Sequence, residues 1–367
     1  MGVEQQQTTG QFGAYGLPKP VDESHFFGVL SLNSERHAYG ASTFDEAQAC
    51  FTGSVGPTGL QSEAVADKLS HIGLTPESYV LLYDALRSRE YPLASSILAE
   101  SIHNHGDSEN GALTTRQQYH DGYKYSDARR ALHGQIIASA LSRKADDHRR
   151  DVPNFHLIVG PPTSGKTTRR MMLEEATPSI TWVKTDVDQI RPYLLPDFDP
   201  SNDDHIRITQ KEASDIANRI FFAAIRTGMD VVAESTLRDV QWRIGTQIPY
   251  VMRYGYRRSL TVLWKDPSEW LRIGVEERLR PVSPEFILTT LGSLNNYLRL
   301  IFDPRFDDVT IVDTNNTPTL TDDHIVYSRA QGNVTSKDRE GLRKILHTAN
   351  QCRHALPSYA FDHTTFK

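Results

Sequence analysis

The chain has 367 residues, 38% of them hydrophobic and 23% charged, a balance ordinary for a protein that buries a real core. Lysine and arginine number 40 against 46 acidic residues, and the net charge of -6 argues against a general nucleic-acid coat. That length fits two domains, or one domain with a large extension. Cys50 and Cys352 are the only cysteines and have no metal-ligand spacing; they could form one disulfide, and the plainer reading is two free thiols in a reducing compartment. No apolar run approaches the roughly 18 residues of a spanning helix, so no membrane partner is expected. The opening MGVEQQQTTGQFGAYG lacks the basic and apolar stretches of a signal peptide, and Gln6 stands where myristoylation needs Ser or Thr. The expected location is cytoplasmic; delivery into a target cell by a specialised secretion machine needs no readable signal and stays open.

Residues 1–20 are polar and glycine-rich and read as a flexible N-terminus. Residues 21–124 read as a mainly helical N-terminal region. Short apolar pieces such as FFGVLSL occupy 26–60, and apolar residues three and four apart mark helices over 61–101. HNHGDSENGALTTRQQYHDGYKYS reads as a polar loop. SDARRALHGQIIASALSRK then carries an apolar stripe of Ala128, Leu132, Ile136, Ala140 and Leu141, with Ser126 or Asp127 as cap.

Residues 125–330 read as an α/β unit. FHLIVG is a continuous apolar strand, and TWVKTD (181–186), DVVAES (230–235), SLTVLW (259–264) and DVTIVD (308–313) follow with helices between them. Their β-branched, unalternated character predicts a parallel sheet covered on both faces. A helix is expected over about 208–227. Residues 331–367 read as a helical tail.

GPPTSGKTT carries the chemistry. Gly160, Gly165, Lys166 and Thr167 fill the fixed positions of a phosphate-binding loop, between a strand and a helix as that motif requires. Glycines let backbone N–H groups converge on phosphate oxygens, and the start of the following helix adds positive potential. Lys166 is placed to bridge the β- and γ-phosphates of ATP, and the Thr167 hydroxyl to ligate Mg²⁺. Thr163, Ser164 and Thr168 add donors, or satisfy local backbone. The expected fold is therefore that of a P-loop NTPase or kinase, a parallel sheet flanked by helices with a mainly helical N-terminal extension.

Ligands of such sheets sit beyond the carboxyl ends of the strands. Asp186 and Asp188 follow the second strand there. Asp188 can accept a proton from a substrate hydroxyl, and Asp186 is structural or associated with magnesium; either can instead cap the helix QIRPYL. AESTLRD brings Glu234, Thr236 and Arg238 to the same edge. Glu234 suits a metal-bound water or a substrate group, Thr236 is a neutral donor and acceptor, and Arg238 neutralises transferred charge or lies on the surface. SEWLRIGVEERLRP reads as a helix with Arg272, Arg278 and Arg280. Glu276 pairs with Arg272 and Arg280, or the arginines belong to a lid; Pro281 and Pro284 make a sharp stop.

The ordered set, DARRALHGQIIASAL, GPPTSGKTT, KTDVDQIRPYLLPDF, QKEASDIANRIFFAAIRTGMDVVAESTLRD and GVEERLRPVSP, resembles the zeta toxin family of kinases over roughly 125–315. The resemblance implies transfer of the γ-phosphate of ATP to a hydroxyl of a sugar nucleotide, typically the 3′-hydroxyl of the amino sugar in UDP-N-acetylglucosamine. It makes Lys166 the phosphate holder and Asp188 the base. Glu234 and Thr236 become contacts to substrate or metal, and Arg238 and Arg278 stabilisers of charge, with Arg280 as second lid arginine. The family places an acid on the helix before strand three to grip the sugar; Asn218 stands there without the charge, which weighs against UDP-N-acetylglucosamine in particular. The resemblance also implies a small helical antitoxin as partner, a part that segment 61–101 either plays in cis or leaves, as an ordinary packing extension. A related effector group phosphorylates the adenosine ribose of NAD, and its long N-terminal portion fits the layout here. A nucleic-acid end kinase and a binding module with a vestigial nucleotide site complete the alternatives. The acidic balance opposes the first, and the presence of Lys166, Thr167 and Asp188 opposes the second.

Overall fold

The structure, a computed structural model, describes residues 63–105, 113–142, 151–238, 240–277, 282–315, 324–330 and 332–352. These lie in one compact unit, Phe51–Lys367. The expectations for the terminus, FFGVLSL and Cys50 fall outside the described residues.

Five parallel strands form the centre of a sheet: β1 Asn154–Val159, β2 Val183–Lys184, β3 Val231–Ser235, β4 Arg257–Trp264 and β5 Asp308–Asp313. Their order is β2-β3-β1-β4-β5, continued by two antiparallel strands, β6 Ile325–Ala330 and β7 Asn333–Ser336. The expected helical tail therefore opens as the second half of a hairpin, and its helix begins only at Arg339. The cause is local: Gly332 at φ 81° supplies a turn that side chains rarely adopt, and IVYSRA has one strongly buried residue, Val326, as a half-covered strand should. β2 is shorter than TWVKTD suggested, because the chain leaves this edge strand at Thr185 to begin a helix.

Strand parity divides the core. Phe155, Leu157, Val231, Ala233, Leu260 and Val262 face one large cluster, whereas Ile158, Val232, Leu263 and Val312 face a second that Met172 and Leu173 cover. Side chains alternate across a strand, so a sheet buried on both sides has to be apolar throughout.

The N-terminal region supplies α1 Glu63–His71, α2 Pro76–Arg87 and α3 Tyr91–His105, as the apolar spacing indicated. Leu69, Leu82, Leu86, Tyr91 and Leu98 join the same core as the strands. The polar loop before residue 126 contains a helix, α4 Thr115–Tyr119, which Thr114 and Gln117 close with a capping box. Then come α5 Asp127–Ser142, α6 Lys166–Ala176, α7 Val187–Leu194 and α8 Asp203–Arg226. After β3 follow α9 Val240–Trp242, a π-helical turn Arg243–Gln247 and α10 Ile248–Arg253. α11 Pro267–Arg272 runs into a second π turn, Ile273–Glu277, before α12 Pro284–Ser293, α13 Asn296–Ile301 and finally α14 Arg339–Gln351.

The second π turn corrects an expected pairing. Arg272 bonds Glu269 at 3.3 Å and Glu277 at 2.7 Å, while Glu276 accepts instead from Tyr79 at 3.0 Å. A π turn carries i to i+5 contacts, which bring residue 277 rather than 276 back to Arg272. Pro284 does not stop a helix; it opens α12 at its first turn, where a missing N–H costs nothing and Ser283 caps. Among the described residues no helix is long and apolar enough to cross a membrane, and Cys352 is a buried free thiol whose pKa burial pushes up to about 12.

Candidate active site

β1 is flanked by β3 on one side and β4 on the other, so it marks the point where the winding of the sheet changes direction. Crevices at such points, beyond the carboxyl ends of the strands, are where open α/β sheets bind ligands. The loop 160–165 leaves β1 there and feeds α6. Thr163 at φ 62° and Gly165 at φ 84° both take the left-handed backbone region, so the loop reverses hand twice within three residues before α6 begins. Gly160 has no room for a side chain: a Cβ would meet the Leu263 carbonyl at 2.9 Å and Ser164 Oγ at 2.3 Å. The Ser164 hydroxyl is thus buried against the protein, without a hydrogen-bond partner among the described residues, and its backbone is what the loop offers. Thr163 Oγ1 reaches the Trp270 carbonyl at 3.5 Å and ties the loop to α11. Lys166 lies back over the loop, donating to the carbonyls of Gly160 at 3.0 Å and Pro161 at 2.7 Å.

Thr167 and Thr168 are exposed on the first turn of α6. The Thr167 hydroxyl points to Glu234 at 3.4 Å. Glu234 also accepts from Arg170 at 2.7 Å, and Arg170 continues to Glu174 at 2.7 Å, which Lys184 bonds at 2.9 Å. This relay spans α6, β3 and β2. Of its members the sequence reading singled out only Thr167 and Glu234; the i,i+4 spacing of Arg170 and Glu174 was the available signal.

Asp186 is the cap of α7, accepting from the Asp188 amide at 2.9 Å. Burial, with Asp188 and Glu234 close by, pushes its carboxyl above the ordinary range. Asp188 projects from the first turn, its side chain 74% exposed, and pairs with Arg191. Of the doublet, Asp186 is therefore the cap, and Asp188 is the exposed member.

On β3, the Glu234–Ser235 end runs into a tight turn. Leu237 takes the left-handed conformation at φ 61° with its side chain fully buried. Asn296 Nδ2 donates to its carbonyl at 3.0 Å, and Ser293 Oγ donates to the Thr236 carbonyl at 3.3 Å. A strained non-glycine residue of this kind persists where its surroundings fix it. Half-buried Thr236 and exposed Arg238 flank it, and the Arg238 guanidinium lies 4.4 Å over the Phe286 ring. No carboxylate pairs with Arg238 among the described residues. Asn218 is half-buried on α8, one turn before Phe222, whose ring meets Trp242 at 6.5 Å. Arg278 and Arg280 fall outside the described residues.

Along one sheet edge the order is thus Asp186 and Asp188 after β2, Glu234 to Arg238 after β3, the glycine loop after β1, and α11 after β4. This defines a mixed α/β protein with a central sheet flanked by helices and a charged site at its carboxyl edge. The zeta toxin family model matches residues 137–324, and the chain belongs to that family. Its members are ATP-dependent phosphotransferases acting on small-molecule acceptors, and this chain is one of them. No curated protein matches the chain. Among solved structures it is similar to the PezAT chromosomal toxin-antitoxin system of Streptococcus pneumoniae, at 17% identity and a TM-score of 0.45, covering 62% of this chain and 96% of that one. It is also similar to AvrRxo1-ORF1:AvrRxo1-ORF2 with sulphate ions, at 15% identity and a TM-score of 0.49, covering 66% of this chain and 94% of that one.

Proposed function

We propose that the protein is a P-loop kinase that transfers the γ-phosphoryl group of ATP to a hydroxyl of a sugar nucleotide, with Asp188 as base. One observation carries the reading: an outward carboxylate, an arginine over an aromatic ring and a glycine loop stand on the ends of three adjacent strands, β2, β3 and β1. Phosphoryl transfer asks a protein mainly for position and charge, and those three groups supply base, countercharge and phosphate cradle.

In the proposed reaction the acceptor oxygen forms a bond to the γ-phosphorus, and the bond from that phosphorus to the β–γ bridging oxygen breaks. The hydroxyl proton passes to Asp188, and ADP leaves. Lys166 exchanges its two loop carbonyls for phosphate oxygens. Backbone N–H groups of 163–167 hold the phosphates, with the side chains of Thr163 and Thr168 beside them. Arg238 balances the moving charge, an arrangement worth a few kcal/mol when such groups are preorganised. Arg278 and Arg280 belong to the same proposal as lid arginines. Thr236 and the uncharged amide of Asn218 face the acceptor.

The residues suit Mg²⁺ as it accompanies ATP. Among the described residues no group of three or more ligating side chains forms a ready cage, and magnesium on a nucleotide needs none, since phosphates and waters fill most of its octahedron. The exposed Thr167 hydroxyl, with Glu234 and Asp186 behind it, would hold it, and the ion would neutralise phosphate charge. A small helical antitoxin is the partner this reading implies, and a toxin the biological role.

The test is incubation with labelled ATP and UDP-N-acetylglucosamine, NAD or an oligonucleotide in turn, with mass spectrometry of the products. A phosphorylated sugar nucleotide is expected, lost in Lys166→Ala and Asp188→Asn while Asp188→Asn still binds ATP by calorimetry. Phosphate on NAD alone would move the acceptor to the adenosine ribose. Full turnover by Asp188→Asn would remove the base assignment.

A further inference from the structure

We propose that Arg191, anchored by Gln210, is a positioning residue that aims the Asp188 carboxylate at the acceptor hydroxyl; the inference rests on Asp188 being the base. Neither residue belongs to the phosphate loop or to the strand ends. They matter for what they do to Asp188.

Asp188 and Arg191 are three apart on α7, a spacing that on an exposed helix face contributes little, because both side chains wander. Here the two ends differ in burial. The Asp188 side chain is 74% exposed, and that of Arg191 only 6%. The guanidinium is gripped from two elements: one Nη donates to Asp188 Oδ1 and the other to Gln210 Oε1 on α8. Gln210 is fixed in turn, donating from Nε2 to Ser214 Oγ at 3.0 Å, while that hydroxyl returns to the Gln210 carbonyl at 2.8 Å. A planar fork held at both ends turns little, and the carboxylate oxygen bonded to it is restrained with it. Asp186 meanwhile pins the Asp188 amide at 2.9 Å. Among the described residues nothing bonds Asp188 Oδ2. One oxygen is therefore committed to the tether, and the other is left outward for a hydroxyl.

A second role for Arg191, direct contact with an anionic group of the acceptor, fits its position poorly. A side chain 6% exposed presents no donor surface to a ligand. The two roles also differ in kinetics. A group that aims the base acts on the rate of the bound complex, whereas a group that holds the acceptor acts on its affinity.

The experiment compares Gln210→Ala, Arg191→Lys and Arg191→Met with the parent, alone and in the Asp188→Asn background. Steady-state kinetics use ATP with UDP-N-acetylglucosamine and with NAD, and calorimetry follows ATP binding. Misplacing a reacting group by about 1 Å costs up to about 100-fold, so Arg191→Met should lower kcat by about 10- to 100-fold and Gln210→Ala by about 3- to 10-fold. KM for both substrates should stay within about twofold, and Arg191→Lys should recover part of the loss by keeping charge without the fork. In the Asp188→Asn background the same changes should alter residual turnover by less than about twofold, because residues acting through one group are not additive. The proposal is overturned if the losses persist undiminished in that background, if they take the form of a higher acceptor KM, or if Gln210→Ala and Arg191→Met leave kcat unchanged. Should Arg191→Met fail to fold, Gln210→Ala decides, since it removes the anchor and leaves the ion pair. Full turnover by Asp188→Asn would instead sink the base assignment itself, whatever Arg191 does.

Discussion

Arg238 differs from its neighbours in what it faces. Arg170 lies against Glu234 and Glu174, Arg191 against Asp188, and Arg272 against Glu269 and Glu277, whereas Arg238 lies over the Phe286 ring. An aromatic face holds a guanidinium in place without cancelling its charge, which leaves that charge for a phosphoryl group. Phe286→Leu keeps an apolar side chain of similar bulk but removes the ring. A cation–π contact at an accessible site is worth about 0.5–1 kcal/mol, so kcat/KM should fall by about 2- to 5-fold with ATP affinity unchanged. Phe286→Tyr should retain the parent value. Equal kcat/KM in parent and Phe286→Leu would mean that the ring does not hold the arginine. Arg238 was legible because ESTLRD follows an apolar strand. Phe286 was not: it comes from a helix 48 residues on, and no local spacing connects the two.

At the scale of elements, legibility followed locality. The loop 160–165 needs only its own glycines and the strand and helix beside it, so GPPTSGKTT was enough to place it. β7 depended on pairing with β6, and the π turn at Ile273–Glu277 on packing against α1 and α2, and neither leaves a period in the sequence. Burial gives the two kinds of glycine opposite responses to the same change. Gly160→Ala drives a Cβ to 2.9 Å from the backbone carbonyl of Leu263, which can yield only if β4 moves. Overpacking of this sort costs about 1–3 kcal/mol and should also weaken ATP binding, because the loop begins there. Gly134, midway along α5, has open space around it, with nothing within 4 Å of where a methyl would sit. Alanine there relieves a helix of a flexible residue and should add about 0.5–1 kcal/mol. Thermal melts of both variants, with an ATP titration of the first, check the pair. A Gly160→Ala protein as stable as the parent would show that β4 gives way freely.

Across the whole molecule, acid should act through a buried carboxyl and a half-buried imidazole in different ranges. Glu212 is fully buried between Arg129 at 2.6 Å and His133 at 2.6 Å, and although burial alone would raise its carboxyl, the hydrogen bonds from His133 and Arg129 hold it down at about 2. Its folded value is depressed, so its contribution is complete above the unfolded value near 4.5 and is lost as pH falls from there towards 2. His156 lies on β1, hydrogen-bonded to Thr261 at 2.8 Å, and burial first, then Arg169, lowers its imidazole from 6.5 to about 4. The folded protein keeps this ring neutral while the unfolded chain protonates it. The stability it supports is therefore complete above pH 6.5 and declines as pH falls from 6.5 to about 4. Between pH 6.5 and 5 His156 titrates and Glu212 has not begun, and the decline over that interval comes to about 2 kcal/mol. His156→Gln removes the titrating group and keeps a hydrogen-bonding side chain beside Thr261. Urea midpoints at pH 7, 6 and 5 should fall more steeply for the parent than for the variant, by an amount matching that figure, with both proteins losing stability together below about pH 4. Parallel midpoints across pH 7 to 5 would mean that the ring on β1 is already free to take a proton in the folded protein, and that acid sensitivity in this range arises elsewhere.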